Sequence, residues 1–412
     1  MKILLTLRQP LLPADIGGRI RSLNIFSRLA KRAEIHVVCL ADPSHDEEAI
    51  SEMRSMFASC TPVFCREAKK YSTRFYWEIL VSQISSSPYF LSKCNTPSFC
   101  TVVEELAASK PFDLLLCDFL HTAFPLLPCT LRPRVVFEHN VEFVLRKRKW
   151  EVETHPLRRR VLAAEWHKAR RIESQVCRSF DHVIAVSDKD KRTLEREFAI
   201  EHVSTLSTGV DTDFFRPLDI PTHKGRIVFV GAMDWDPNED GVIWFLREVY
   251  PRIQQTVPYA SFLIVGRSPS QRLRAVVSQL AAVEMTGRVP DVRPYLAEAE
   301  VVVVPLRAGG GTRLKIPEAM AMAKAVVSTR VGAEGLPFRN GREIRLEDDP
   351  ADFAQAVIAL LMDVSCRNTL GRTARDTVVR GHSWDSVVEQ MERTLDGIHR
   401  PMTEVAETLA DA

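Results

Sequence analysis

The chain has 412 residues, with 55 Lys and Arg against 53 Asp and Glu, and 45% of its residues are apolar. This length predicts two or three domains, and the globular composition argues against a disordered, collagen-like or coiled-coil protein. The resulting net charge of +2 argues neither for nor against a polyanionic partner.

The first half of the chain alternates strand-like and helix-like segments. It starts with a short apolar run at Ile3–Leu7, which we interpret as a buried strand and not as a signal peptide. The later strands are predicted at Ile35–Leu40, Leu114–Cys117, Val135–Glu138 and His182–Val186. The helices are predicted at Gly17–Lys31, Glu47–Phe57, Tyr71–Gln83 and Val102–Ala108, and over a long stretch before His182. Near-continuous apolar strands that alternate with helices predict βαβ units and a parallel sheet.

The same alternation starts again after Phe215–Gly225, a segment rich in Pro and polar residues that we interpret as a linker. Strands are predicted at Arg226–Gly231, Phe262–Val265, Val301–Val304, Ala325–Ser328 and Glu343–Leu346. Helices are predicted at Gly241–Gln254, Gln271–Leu280, Pro350–Val379 and Ser383–Ile398, and directly after a glycine cluster near residue 310. The sequence therefore predicts an α/β protein with two doubly wound, parallel-sheet domains.

Membrane spans and disulfides are not expected. No run of 18 apolar residues predicts a transmembrane helix. Nine cysteines are scattered without a C-x2-C pair, as in proteins of a reducing cytosol, so we expect a cytoplasmic protein.

One segment combines several features of a diphosphate site: GGGTRLKIPEAM at residues 309–320, directly after an apolar strand. Glycines at such a position let the backbone approach a ligand, and the helix that follows directs unpaired N–H groups and its positive dipole end toward that ligand. Arg313 and Lys315 add cationic donors, and Glu318 can accept a hydrogen bond from a hydroxyl group. The segment predicts a diphosphate-sugar site. The alternative is an ordinary glycine-rich turn between a strand and a helix.

Other chemically distinctive residues fall at or just after predicted strand ends, namely Gly17, Gly18, His139 and Gly231. In open parallel sheets, ligands bind beyond the carboxyl ends of the strands. Two such domains that face each other would bring these residues and Gly309–Thr312 into one composite active site.

With these residues in place, the chain resembles the retaining glycosyltransferase family 4 (group 1), which has the two-domain GT-B architecture. The strongest part of the resemblance is VVVVPLRAGGGTRLKIPEAMAMAKAVVSTRVGAEGL at 301–336. Supporting motifs follow in the expected order: DIGGRIRSL (15–23), FEHNVE (137–142), VIAVSDKDKRTL (183–194), TGVDTDFF (208–215), FVGAMDWDPNEDGVIWFL (229–246) and GRVPDVRPYL (287–296).

The resemblance implies an N-terminal Rossmann-like acceptor domain at 1–215 and a C-terminal Rossmann-like donor domain at 216–382, which face each other across a cleft. A C-terminal helix at about 383–400 is expected to cross back onto the first domain. The implied catalytic residues are His139, Arg313 and Lys315. The implied substrate-binding residues are Gly17, Gly18, Gly231, Val289 in the loop that frames the base, Gly309, Gly310, Gly311, Thr312 and Glu318. Each of these residues has a structural alternative. The glycines would serve only as turn residues, His139 would be a hydrogen-bonded core histidine, and the charged residues would lie on a solvated helix face.

The sequence departs from the family pattern at two places. The family's E-x7-E signature ends at Glu318, but Gly310 stands where its first glutamate is expected. The loop from Gly231 to Gly241 is acidic and lacks the Arg and Lys that many members carry there, so Arg313 and Lys315 are the expected substitutes.

The implied reaction transfers a hexosyl unit from a nucleotide-diphosphate sugar, a UDP- or GDP-sugar, to an acceptor hydroxyl with retention of configuration. The acceptor would be a saccharide or a lipid-linked molecule in cell-surface polysaccharide or glycolipid assembly. No cofactor is expected. No metal is expected either, although Asp234-Trp-Asp236 is the most plausible of three D-x-D strings, because Arg313 and Lys315 already supply positive charge.

A basic segment, Val144 to Arg171, holds ten Lys or Arg against three Asp or Glu. It is either a solvated helix face or a peripheral contact with an anionic membrane on its inner, cytoplasmic side, and nucleic acid is not expected as a partner.

Three other classes of protein share some of these sequence features. A non-catalytic nucleotide-sugar-binding protein of the same fold stays open because of Gly310. A GT-B epimerase or phosphorylase is a minor alternative. A Rossmann oxidoreductase is disfavoured because G-x-G-x-x-G is missing after the first strand.

Overall fold

A computed structural model describes the backbone of residues 1–14, 17–66, 68–69, 72–92, 97–308 and 313–410, with side chains described as far as 399. The chain separates into two compact units. The first comprises Met1–Leu206 together with Val388–Ala412, and the second comprises Ser207–Val387.

The described part of the first unit contains a seven-stranded parallel sheet in the order β3-β2-β1-β4-β5-β6-β7. Its strands are β1 (Lys2–Leu7), β2 (Glu34–Ala41), β3 (Ser59–Phe64), β4 (Leu114–Asp118), β5 (Arg134–Glu138), β6 (His182–Ala185) and β7 (Val203–Thr205). Strand β1 lies between β2 and β4, with Ile3 opposite Ile35 on one side and Leu114 on the other. The strand order reverses at this point, and such a reversal opens a crevice beyond the carboxyl ends of the strands.

Helices cover this sheet and bury its apolar strands. They are α1 (Gly17–Leu29), α2 (Glu47–Met56), α3 (Thr73–Ile84), α4 (Tyr89–Ser92), α5 (Pro97–Ser109), α6 (Leu120–Ala123), α7 (Glu142–Val152), α8 (Pro156–Ser179) and α9 (Asp188–Phe198). Ser187 starts α9 because its hydroxyl accepts a hydrogen bond from the amide of Asp190 at 3.1 Å.

The described part of the second unit contains a six-stranded parallel sheet in the order β10-β9-β8-β11-β12-β13. Its strands are β8 (Arg226–Val230), β9 (Ser261–Val265), β10 (Val283–Gly287), β11 (Val301–Val304), β12 (Ala325–Ser328) and β13 (Arg345–Leu346). The strand order again reverses beside β8, so the loops after β8 and β11 lie at a switch point of this sheet.

The helices of the second unit are α10 (Asp236–Trp244), α11 (Tyr250–Thr256), α12 (Gln271–Val277), α13 (Arg293–Glu298), α14 (Lys315–Ala321), α15 (Pro350–Met362) and α16 (Val364–Gly381). A π-helical turn, Phe245–Val249, joins α10 to α11. Helix α17 (Trp384–Ala410) begins in the second unit, and its residues from Val388 onward belong to the first.

The two parallel sheets confirm the predicted pair of doubly wound α/β folds. Three strands were missed by the sequence analysis, β3, β7 and β10. The single helix predicted at Pro350–Val379 was wrong, because Asp363 ends α15 and caps α16 by accepting from the amide of Cys366 at 2.9 Å. Tyr71, predicted to begin a helix, lies outside the described residues, and Ser72 caps α3.

Among the described residues, no helix is both long enough and apolar enough to span a bilayer.

Candidate active site

In the second unit, Lys315 lies at the end of strand β8. Its ammonium donates a hydrogen bond to Oδ1 of Asn238 at 2.7 Å and lies 4.3 Å from the centre of the Phe229 ring. The Asn238 amide is itself oriented, because its Nδ2 donates to the carbonyl of Ala232 at 2.8 Å. A Cβ atom on Gly231 would lie 2.6 Å from the Lys315 ammonium. Glycine at this position therefore leaves the space that the ammonium occupies.

Lys315 and Glu318 both have strongly perturbed pKa values. Burial, reinforced by the nearby positive charge of Arg313, lowers the pKa of Lys315 to about 7, and Glu318 opposes this shift. Burial raises the pKa of Glu318 to about 7, and Lys315 opposes that shift. Near neutral pH each group is therefore divided between its charged and neutral forms, and a bound anion would favour the charged lysine.

The Arg313 side chain is buried, and its guanidinium carbon lies 5.3 Å from the centre of the Trp235 ring. Trp235 and Asn238 both belong to the acidic loop after β8. Arg313 contacts this loop through Trp235, and Lys315 contacts it through Asn238. These are the two cations that the sequence analysis predicted as substitutes for the missing basic residues of the loop.

The structure does not place every predicted residue of this region. Gly309, Gly310, Gly311 and Thr312 lie outside the described residues. Val289 follows β10, the edge strand on the far side of β9 from β8, and it packs against the apolar core of the second unit. Gly287, which precedes this loop, has a φ of +71°, a backbone conformation that favours glycine.

In the first unit, His139 follows β5 and is held by Asp118 at the end of the neighbouring strand β4. The Nε2 atom of His139 lies 2.7 Å from Oδ1 of Asp118, whose Oδ2 accepts from the hydroxyl of Ser22 at 2.7 Å. The imidazole stacks on Phe119, with 3.8 Å between ring centres and 15° between planes. Burial lowers the pKa of His139, while Asp118 opposes that shift.

Gly17 and Gly18 begin helix α1 on the same side of this sheet. A Cβ on Gly18 would lie 3.0 Å from Cζ of Phe119, the ring that stacks on His139, whereas none of the described residues lies within 4 Å of a Cβ on Gly17. The structure therefore brings Gly18 and His139 together through Phe119.

Sequence reasoning missed Asp118, Ser22 and Asn238. Asp118 could have been found as an acid that closes an apolar strand, LLLCD, at the carboxyl edge where ligands bind. Asn238 had no comparable signal, because its partner Lys315 is 77 residues away in the chain.

The buried Arg21 lies near Asp118, and its guanidinium carbon is 4.8 Å from the centre of the Phe137 ring. It also donates to the carbonyl of Leu206. Burial lowers the pKa of Arg21 to about 9, with Asp118 and Asp190 opposing the shift.

Buried carboxyl groups lie beneath the start of α7. Glu173 on α8 accepts from the amides of Glu142 and Phe143 at 2.8 and 2.7 Å. Burial raises the pKa of Glu173 to about 8, and burial together with Glu173 and Glu142 raises the pKa of Glu138 well above its usual range.

The described residues contain no group of three or more His, Cys, Asp or Glu side chains arranged to hold a metal ion. In the D-x-D string of the loop after β8, Asp234 forms an ion pair with Arg267 at 3.1 Å.

Two parallel-sheet units with polar and cationic groups at their strand ends define an α/β protein of the GT-B architecture. Residues 17–214 match the family described as Glycosyltransferase Family 4, and residues 224–363 match the family described as Glycosyl transferases group 1. The chain belongs to this family of group 1, family 4 glycosyltransferases.

Individual relatives are distant. An uncharacterized 44.6 kDa protein in the cps region of Klebsiella pneumoniae is 22% identical over 276 residues, which span 64% of this chain and 69% of that protein. The phosphatidyl-myo-inositol mannosyltransferase of Mycobacterium tuberculosis is 29% identical over 227 residues, which span 52% of this chain and 59% of the mannosyltransferase. These matches thus reach well short of the full length of either relative.

Among solved structures, Anabaena Alr3699/HepE in complex with UDP has a TM-score of 0.67. The superposition covers 96% of this chain and 100% of that one at 14% sequence identity. At this identity the likeness shows a shared fold.

Proposed function

We propose that the chain is a retaining glycosyltransferase that moves a hexosyl unit from a nucleotide-diphosphate sugar to an acceptor hydroxyl. The observation that carries this proposal is the arrangement of Lys315, Asn238 and Gly231 at the end of β8, with Arg313 beside it on Trp235. Two cationic side chains at a switch point of a parallel sheet suit a diphosphate. A UDP- or GDP-sugar is the proposed donor, a choice supported by the UDP complex of the Anabaena protein.

In the proposed reaction, the departing diphosphate gains negative charge as the sugar–oxygen bond breaks. Arg313 and Lys315 stabilise that charge, together with the backbone amides of Gly309–Thr312. Fixed donors of this kind are the main means of catalysis when charge develops on a leaving group. A lysine with a pKa of about 7 is suited to this role, because the diphosphate restores its full positive charge on binding.

The remaining residues are assigned to the substrates. His139 contacts hydroxyl groups of the donor sugar, and Asp118 orients its imidazole through the 2.7 Å hydrogen bond. Glu318 accepts from the ribose hydroxyls. The other substrate-binding residues are Gly17, Gly18, Gly231, and Val289 at the base. Residues 1–215, joined by the helix at about 383–400, bind the acceptor, and residues 216–382 bind the donor.

The acceptor is proposed to be a saccharide or a lipid-linked molecule in the assembly of cell-surface polysaccharide or glycolipid. The descriptions of two relatives support this choice. One relative is a protein in a cps region, and the other is a phosphatidyl-myo-inositol mannosyltransferase. The chain is further proposed to be cytoplasmic, with a peripheral contact to anionic membrane through residues 144–171, where exposed arginines such as Arg158 and Arg160 begin α8.

The proposal is tested first by thermal shift with UDP-, GDP-, ADP- and TDP-sugars, and then by release of nucleoside diphosphate with the sugar that stabilises the protein. Arg313→Ala and Lys315→Ala should each lower turnover by about tenfold or more without loss of folded protein. Arg330→Ala is the control, because Arg330 is an exposed residue of the same unit that pairs with Asp348 at 3.4 Å. Full turnover in both site variants would contradict the proposed role of these cations.

A non-catalytic nucleotide-sugar-binding protein is the second candidate, and Gly310 in place of the expected glutamate is the feature that favours it. Stabilisation by a nucleotide sugar without slow donor hydrolysis, and without transfer to any acceptor, would support this candidate over the enzyme.

A further inference from the structure

Helix α3 of the first unit turns an apolar face to the solvent. Five large apolar side chains on it are between 41% and 90% exposed: Tyr76, Trp77, Leu80, Val81 and Ile84. Their spacing places them on one side of the helix, because residues four apart in a helix are neighbours on its surface. We call these five residues the α3 stripe.

The opposite side of α3 is the one that packs against the protein, and there Ser82 is buried. A helix on the surface of a soluble protein normally directs its apolar side inward. Contiguous exposed apolar patches of this kind mark an interaction site with a protein or a membrane. The α3 stripe therefore needs a partner.

The charges around the stripe favour an anionic lipid surface. Residues 66–87 contain four Lys or Arg against two Asp or Glu. On helix α8, Lys168 donates to the carbonyl of Ser82 and Arg171 donates to the carbonyl of Ser86, so the basic segment 144–171 lies directly against α3. Exposed Trp and Tyr beside basic residues are typical of helices that lie in the interface of a bilayer.

Two cavities of the first unit, one beside the stripe and one at the strand ends, share lining residues. A cavity of about 350 Å³ beside α3 is lined by Trp77 and Val81, and also by Cys65 and Ala68. A larger cavity of about 760 Å³ beyond β1 and β2 is lined by the same Cys65 and Ala68. Cys65 and Ala68 therefore border both cavities.

The lining of the larger cavity carries charges of both signs, with the basic side chains Arg8, Arg19 and Lys69 and the acidic side chains Asp42, Asp46, Glu48 and Glu52. Such a lining suits a head group with several hydroxyl groups, because a hydroxyl group can donate to a carboxylate and accept from a basic side chain.

We propose that the α3 stripe inserts into the interface of an anionic bilayer, and that the cavity at the strand ends binds the head group of a lipid-linked acceptor from that bilayer. The insertion stands on the stripe and its charges alone. The identity of the head group as an acceptor rests on the proposed function.

Insertion is tested by flotation of the full-length chain with phosphatidylcholine vesicles prepared with and without phosphatidylglycerol. Wild type should float with the anionic vesicles, and the double variant Leu80→Asp/Ile84→Asp should partition at least about tenfold less. The matched control is Met362→Asp/Val364→Asp, which changes two similarly exposed apolar residues of the second unit and should bind as wild type does. Equal binding by the α3 variant, or no flotation of wild type, would overturn the proposal.

A second measurement reports on Trp77 itself. Phosphatidylcholine with brominated acyl chains, mixed with phosphatidylglycerol, should quench part of the tryptophan fluorescence of wild type. Trp77→Phe should bind the same vesicles but lose that part of the quenching. Unchanged quenching in this variant would show that Trp77 stays outside the bilayer and would overturn the insertion.

Sedimentation and thermal shift separate the remaining outcomes. If wild type is a dimer that fails to float, and Leu80→Asp/Ile84→Asp converts it to a monomer, the stripe is a contact between copies of the chain and the proposal is wrong. Stabilisation by a nucleotide sugar does not require α3, so the α3 variant should keep it. A failure of membrane insertion would therefore not contradict the proposed glycosyltransferase activity, which is tested separately by nucleotide-sugar binding and turnover.

Discussion

Binding of a nucleoside diphosphate should exchange protons at Lys315 and Glu318 in opposite directions. With its pKa of about 7, Lys315 is about half neutral at pH 7. A phosphate charge about 4 Å from the ammonium contributes about 4 kcal/mol at an effective dielectric constant of about 20. This energy raises the pKa by about three units, so binding takes up about half a proton at pH 7.

Glu318, whose pKa is also about 7, should release about half a proton under the same conditions, because a carboxylate that accepts from ribose hydroxyls is favoured in its charged form. The two effects nearly cancel in wild type. Glu318→Gln removes the proton release from the carboxyl group. It also removes the negative charge that raises the pKa of Lys315, so more of the lysine is neutral before binding. This variant should therefore take up more than about half a proton on binding. Lys315→Arg keeps a permanent cation and should show net release.

The assay is isothermal titration calorimetry of a UDP- or GDP-sugar, whose doubly esterified diphosphate has no group that titrates near pH 7, in buffers that differ in ionisation enthalpy. The slope of the observed enthalpy gives the number of protons exchanged. A near-zero slope in wild type and slopes of opposite sign in the two variants are the expected result. Slopes that match wild type in both variants would refute the assignment of these two groups to the donor site.

Three further predictions follow from the contacts of the two units. Gly231→Ala places a Cβ 2.6 Å from the Lys315 ammonium and 2.8 Å from Nδ2 of Asn238, so donor affinity should fall by about tenfold, and the melting temperature should fall as well because the buried Asn238 must shift. Asp118→Asn removes the carboxylate that holds His139, so turnover should fall by about tenfold and its pH profile should shift. Because burial raises the pKa of Glu173 from 4.5 to about 8, the folded form holds this proton more tightly than the unfolded chain. The free energy of unfolding should then fall as pH rises from about 5 to about 8, and Glu173→Gln should flatten that fall in urea titrations.

Each of these variants has a matched control. Gly381→Ala adds a methyl group that would have no described atom within 4 Å, and this variant should keep wild-type donor affinity. Asp188→Asn, at an exposed position on α9, should keep wild-type turnover. Glu151→Gln changes a carboxyl group whose side chain is 50% exposed and should leave the pH dependence of stability unchanged. If a control variant changes donor affinity, turnover or the pH dependence of stability as much as its site variant does, the role assigned to that site residue is wrong.

The buried strands of both sheets could be predicted from the sequence because they are short apolar runs that alternate with helices. The missed strands lack that signal. Strand β3 is an edge strand that contains Pro62, and β7 is only three residues long. The break between α15 and α16 was missed because the helical apolar pattern continues across Asp363, although an aspartate is a recognised start of a helix.

The residue types of the candidate site could be predicted from the strand-end motifs, but their partners could not. The contact of Lys315 with Asn238 joins positions 77 residues apart, and that of His139 with Asp118 joins positions 21 apart. Such pairs are created by the strand order of the sheet and leave no local pattern. The perturbed pKa values have the same origin, since they come from burial that only the folded chain produces.

The most direct test of the account is a crystal structure of the full-length chain with the nucleoside diphosphate that stabilises it most. The diphosphate should lie within hydrogen-bonding distance of both Arg313 and Lys315, beside Gly231 at the end of β8. A diphosphate bound away from these two side chains would contradict the central claim.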